Sequence, residues 1–95
     1  PRNPGYRKAA EAYLQATGRR MLVFTDQPGM QLYTANGFSE KDTDRKGRPR
    51  KAHTGFCMET QHFPDSPNHP AFPSTILRPG ERFTSRTVYK FEIAR

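Results

Sequence analysis

Four prolines fall within the eleven residues 63–73 (FPDSPNHPAFP), and no other segment limits the fold as strongly. Proline has no N–H to donate and its ring clashes with the preceding helical turn, so neither a helix nor a central strand runs through this stretch. Nine prolines and seven glycines in all punctuate a chain of 95 residues, of which only 33% are hydrophobic. There is no Trp, and the aromatic weight falls on seven Phe and four Tyr. Short strands joined by turn-rich connections suit this mixture better than a helical bundle. The length allows one small domain with a marginal core, or a piece of a larger one whose missing partner completes that core.

Around the proline segment the chain reads mostly as strands. Residues 20–25 (RMLVFT) form an apolar run of strand length, and 30–34 (MQLYT) alternate, with Gln31 and Tyr33 on one face and Met30 and Leu32 on the other. Pro28 and Gly29 mark a turn between the two runs. Residues 55–61 (GFCMETQ) alternate as well, grouping Cys57, Glu59 and Gln61 opposite Phe56, Met58 and Thr60. The clearest strand is 83–93, with Tyr89, Phe91 and Ile93 expected to face the core. Residues 9–16 (AAEAYLQA) contain good helix formers but are too few for a firm helix, so helix and strand both stay open.

Sixteen basic residues against nine acidic ones give a net charge of +7, which can favour nucleic acid or acidic surfaces. The basic residues are scattered, however, and the one dense run (DRKGRPRK) contains no aromatic side chain on which a base could stack. Residues 37–52 are therefore read as an exposed basic loop with solvated charge, and no nucleic-acid partner is expected. Cys57 is the only cysteine, so no intrachain disulfide forms, and a reducing, cytoplasmic setting is expected. No run approaches the roughly 20 apolar residues of a membrane span.

Glu59 is the candidate for chemistry. A solvated strand glutamate is the commonplace reading, but the stiff, aromatic-bearing segment that follows is expected to wall it off. A partly desolvated carboxylate has a raised pKa and transfers protons well near neutral pH. Competing sets are weaker. His53, Cys57, His62, Asp65 and His69 lack the paired spacing of a zinc site, so no metal is expected. Cys57 has no base at a recognisable spacing and reads as a buried, inert thiol. Phe63 and Phe72 read as core plugs rather than sugar-stacking platforms, and Tyr33 as pocket lining or plain packing alike. His62 either borders a pocket or lies in a surface loop.

The run GFCMETQHFPDSPNHPAFPS resembles the C-terminal signature of the aldose 1-epimerases, and the upstream TDQPGMQLYTAN resembles that family's Pro-Gly-x-Gln-x-Tyr-Thr block, in the same order. The resemblance implies an all-β fold: the C-terminal strands of a large antiparallel β-sandwich, the galactose mutarotase-like supersandwich. Residues 1–95 would form a single C-terminal fragment of it. It implies interconversion of the α and β anomers of aldohexoses such as glucose and galactose, with no cofactor. Ring opening needs a base for the C1 hydroxyl proton and an acid for the ring oxygen. The family's base maps onto Glu59 and its sugar-contacting glutamine onto Gln31, whose amide can donate and accept. The family's acid, a histidine, belongs to a segment upstream of both blocks, so this chain alone is expected to be inactive. A non-catalytic sugar-binding module of the same fold is the alternative. Ala35 stands where the family usually has a glycine in Tyr-Thr-Gly-Asn, so the turn there is expected to differ.

Overall fold

The computed structural model describes residues 4–39 and 41–94. Five strands follow one another: β1 (Arg7–Leu14), β2 (Arg19–Thr25), β3 (Gly29–Tyr33), β4 (Cys57–Gln61) and β5 (Thr87–Ile93). They form two antiparallel sheets, one of order β1-β2-β5 and one pairing β3 with β4. The all-β reading holds. The segment that was open between helix and strand is strand β1, whose residues alternate between charged and apolar neighbours once it pairs with β2. A bulge between Lys8 and Ala10 shifts its register by one residue.

The two faces of the larger sheet differ in chemistry. On one, Ala10, Ala12 and Leu14 stand beside Val23, Met21 and Arg19, and these beside Tyr89, Phe91 and Ile93. The other carries an ion-pair row in which Arg20 bridges Glu11 at 2.9 Å and Glu92 at 3.2 Å, with Lys8 on Glu11 at 2.5 Å. Lys8 and Arg20 hold the Glu11 carboxyl below the usual carboxylate range, first through the Lys8 hydrogen bond.

Two expectations about 83–93 need correction. The strand begins only at Thr87. The ladder gives out at the next rung, Asp26 opposite Arg86: the Asp26 N–H still donates to the Arg86 carbonyl at 3.3 Å, but the Arg86 N–H donates to the Asp26 side chain, Oδ1, at 3.1 Å. The Ser85 hydroxyl also donates to Asp26, at 2.8 Å, and accepts from the Gln27 amide at 2.6 Å. These donors, led by the Arg86 N–H, hold the Asp26 carboxyl below its ordinary range. Second, none of the three side chains expected in the core lies in one: Tyr89 is 45% exposed, and Phe91 and Ile93 are 74% and 54% exposed. With Leu14, Met21 and Phe56, Phe91 and Ile93 line an open apolar hollow of about 690 Å³.

The core is correspondingly small: Val23, Met58 and Ala35 are its buried apolar residues, joined by the buried Thr25, Gln27 and Ser66. Where the sheets meet, they are tied by polar contacts. The Thr25 and Thr87 hydroxyls lie 2.9 Å apart, Thr87 and Thr60 are 2.8 Å apart, and the Tyr89 hydroxyl donates to the Met58 carbonyl at 2.7 Å. Within the proline-rich segment a short 3-10 turn, Ser66–Asn68, appears where no helix was expected. A proline inside its first turn is tolerated because the N–H there would have no helical partner.

The 37–52 loop has more order than its sequence suggests, though Glu40 lies outside the described residues. Asp44 organises its tip, accepting from the N–H groups of Lys46 at 2.8 Å and Arg48 at 3.0 Å, and pairing with the Arg48 guanidinium at 2.8 Å. A single bridge between Thr43 and Pro49 closes a small hairpin, with Gly47 at φ 74° in its turn. The donors around Asp44, led by the Arg48 N–H, keep its carboxyl below the ordinary range. The basic side chains of residues 45–51 are exposed.

Candidate functional site

Strands β3 and β4 pair in the register Gly29 with Gln61, Gln31 with Glu59, and Tyr33 with Cys57. Gln31 and Glu59, chosen from separate sequence blocks, thus stand directly opposite each other. Side chains in that position lie about 5 Å apart at Cβ and share one face of the sheet. The alternate residues Met58 and Thr60 turn towards the larger sheet, where the Tyr89 hydroxyl and the Thr87–Thr60 contact pin β4 down. What the underside fixes, the upper side displays. Glu59 has no side-chain hydrogen bond among the described residues, and the Gln31 amide makes only a 3.5 Å approach to the Leu32 carbonyl. Both functional groups are open to a ligand.

Glu59 is exposed rather than walled in, which corrects the expectation of a desolvated carboxylate. The proline-rich segment lies to one end of the Glu59–Gln31 pair and does not cover it. Cys57, the first residue of β4 and opposite Tyr33, is likewise exposed, not buried. The Tyr33 hydroxyl accepts the Gly37 N–H at 3.0 Å, which ties the start of the basic loop to this face.

The turn after β3 is left-handed at an alanine. Ala35 has φ 60° and is 3% exposed, and its carbonyl accepts the N–H groups of Phe38 and His53, each at 3.3 Å. His53, also left-handed at φ 63°, sets its Nδ1 3.0 Å from the Thr34 carbonyl. The backbone path is held by the loop returning onto it, and Ala35 bears the strain.

Sequence reasoning missed one feature of the site. Gly29, read only as turn punctuation, is the first residue of β3, and a Cβ there would come within 2.8 Å of the Phe63 ring. A glycine in a strand often marks such a close approach, and that signal was available in the alternation Gly29, Gln31, Tyr33. Phe63 packs against Phe72 with centroids 5.1 Å apart, and His69 stacks on Phe72 at 4.6 Å. Asp65, left-handed at φ 62°, holds Asn68 at 2.5 Å and His69 at 3.1 Å. His62 turns the other way, to the ring of Phe83 at 6.4 Å. Among the described residues, no three His, Cys, Asp or Glu side chains converge to hold a metal ion.

Comparison with known proteins places the chain. The chain is 42% identical over 85 residues to the galactose mutarotase of Rattus norvegicus, and 42% identical over 85 residues to that of Homo sapiens. Each alignment covers 90% of this chain and 25% of the relative. The aldose 1-epimerase of Escherichia coli (strain K12) is 35% identical over 89 residues, 92% of this chain and 25% of that protein. The chain therefore spans a quarter of the length of these relatives. The sequence pattern of the aldose 1-epimerases matches residues 2–90, taking in both blocks and every strand that carries the Gln31–Glu59 face, and the chain belongs to the aldose 1-epimerase family.

Proposed function

We propose that the protein to which this chain contributes its C-terminal portion interconverts the α and β anomers of aldohexoses, glucose or galactose among them. Glu59 is the base and Gln31 a sugar contact. The observation that carries this reading is the direct cross-strand pairing of Gln31 with Glu59 on an open face. The relatives, a galactose mutarotase and an aldose 1-epimerase, supply the reaction class.

In this reading Glu59 accepts the proton of the C1 hydroxyl as the C1–O5 bond breaks, while an acid outside this chain protonates O5. Rotation about C1–C2 presents the other face of the aldehyde; on reclosure O5 gives its proton back to that acid as the C1–O5 bond forms, and Glu59 returns its proton to the former carbonyl oxygen. Gln31, one ladder position across, holds a neighbouring hydroxyl and keeps C1 over the carboxylate. The exposure of Glu59 suits a role in which sugar and the rest of the protein complete the enclosure.

Kinetics of the full-length protein test the assignment. Glu59→Gln keeps shape and hydrogen bonding but cannot accept the proton, so kcat should fall by about a hundredfold or more, with the melting temperature unchanged. Gln31→Ala should mainly raise KM, because it removes a contact made in the ground state as well. Polarimetry of fresh α-D-glucose gives both constants. A Glu59→Gln variant that kept more than about a tenth of the wild-type kcat would show that the base lies elsewhere.

A further inference from the structure

The ring of Phe63 stands at one end of the Gln31–Glu59 ladder, and the main chain makes room for it. Gly29 pairs with Gln61, and a side chain on Gly29 would meet Phe63 Cδ1 at 2.8 Å and Cε1 at 3.0 Å. The ring thus occupies the place of a side chain on the same face of β3 as Gln31, about 7 Å along the strand from it. Phe72 backs it at 5.1 Å with planes inclined by 58°. The Ser66 hydroxyl, on a buried residue, donates to the Phe63 carbonyl and fixes the backbone. Held on these sides, Phe63 is still 36% exposed, so part of the ring is open.

A pyranose has a rim of hydroxyls and flat patches of C–H groups. The rim is matched by amide and carboxylate groups such as Gln31 and Glu59, and the C–H patches need an apolar surface beside them. Small-molecule sites combine these two elements: an apolar or aromatic wall and a few placed polar groups. We propose that Phe63, seated over Gly29, is the apolar wall of the sugar site and packs against the C–H face of an aldohexopyranose whose C1 end meets Glu59. This rests on the reading of Glu59 and Gln31 given above. Phe63 takes no part in proton transfer. It holds the sugar in ground state and transition state alike, so its loss acts on KM more than on kcat.

The test uses the full-length protein. Phe63→Leu keeps the apolar bulk and removes the flat ring, and should raise KM for glucose about threefold to tenfold with a smaller change in kcat. Phe63→Tyr, which restores the ring, should return KM to within about twofold of wild type. Phe63→Trp gives a readout independent of turnover: its emission, taken as the difference from the unsubstituted protein, should change saturably as glucose is added. A folded Phe63→Leu variant with unaltered KM, or a folded Phe63→Trp variant blind to glucose, would overturn the proposal, and should Phe63→Leu fail to fold, the tryptophan titration decides. Failure of the base assignment is seen separately. An active Glu59→Gln variant with a raised KM for Phe63→Leu removes the base and keeps the wall, whereas an inactive Glu59→Gln with normal KM for Phe63→Leu removes the wall alone.

Discussion

Ala35 shows how a single residue can carry strain for its surroundings. Its φ of 60° lies where a β-carbon crowds the following carbonyl, at a cost of about 1–2 kcal/mol. Its carbonyl is nonetheless needed, because it receives the N–H of His53 at 3.3 Å and so seats the end of the basic loop beside β3. Ala35→Gly should relieve the crowding and raise the stability of the full-length protein by about 1 kcal/mol, less the extra freedom glycine gains when unfolded. Urea unfolding would check this, and a variant no more stable than wild type would mean the turn is unstrained. The sequence exposed the residue substitution but not its outcome, since the hydrogen bonds that hold the turn come from a residue eighteen positions away. The strand faces of Glu59 and Gln31 were legible because each sits in a short alternating run. Their pairing depends on register, and only the fold supplies that. The exposure of Glu59 was misjudged, because proline content says how stiff a segment is and not where it lies.

Among the elements, β4 owes its orientation to a short chain of hydroxyls. Thr25, Thr87 and Thr60 link the two sheets at 2.9 and 2.8 Å, beneath the strand that presents Glu59. Thr87 is the middle member, so Thr87→Val keeps the shape and removes both contacts. It should destabilise the full-length protein by about 1–3 kcal/mol, at roughly 1 kcal/mol per hydrogen bond, with Thr87→Ser largely restoring the loss. Denaturant midpoints for the two variants check it, and equal loss in both would shift the role from the hydroxyl to the γ-methyl group. Strands β2, β3 and β4 were readable from local periodicity. β1 was not, because a run of alanines has no face of its own until β2 supplies one. The early part of 83–93 failed for the opposite reason: its alternation is sound, but the Asp26 carboxylate takes the Arg86 N–H where the ladder would need the main chain.

At the scale of the whole molecule, the two sheets bury little against each other, and the apolar side of the larger one is left open around Phe91, Ile93 and Phe56. A period-2 pattern correctly put Tyr89, Phe91 and Ile93 on one face of β5 but could not say whether that face is covered. The basic hairpin is the other large-scale feature, and it lies between the two strands of the candidate site along the chain while lying outside their ladder in space. Gln31 and Glu59 are joined by main-chain pairing and by ties to the larger sheet, not by the 25 or so residues that connect them. Continuity of the polypeptide at the hairpin tip is therefore dispensable for the site. Limited trypsin digestion of the full-length protein should cut first after the exposed Arg45 or Lys46, since loop tips are favoured cleavage points. The two pieces should then travel together on gel filtration and keep most of the mutarotation rate, whereas pieces that part on cutting would mean the hairpin itself clamps β3 to β4. On the roles proposed for Glu59 and Gln31, a protein severed between them would still turn over, as two chains behaving as one enzyme.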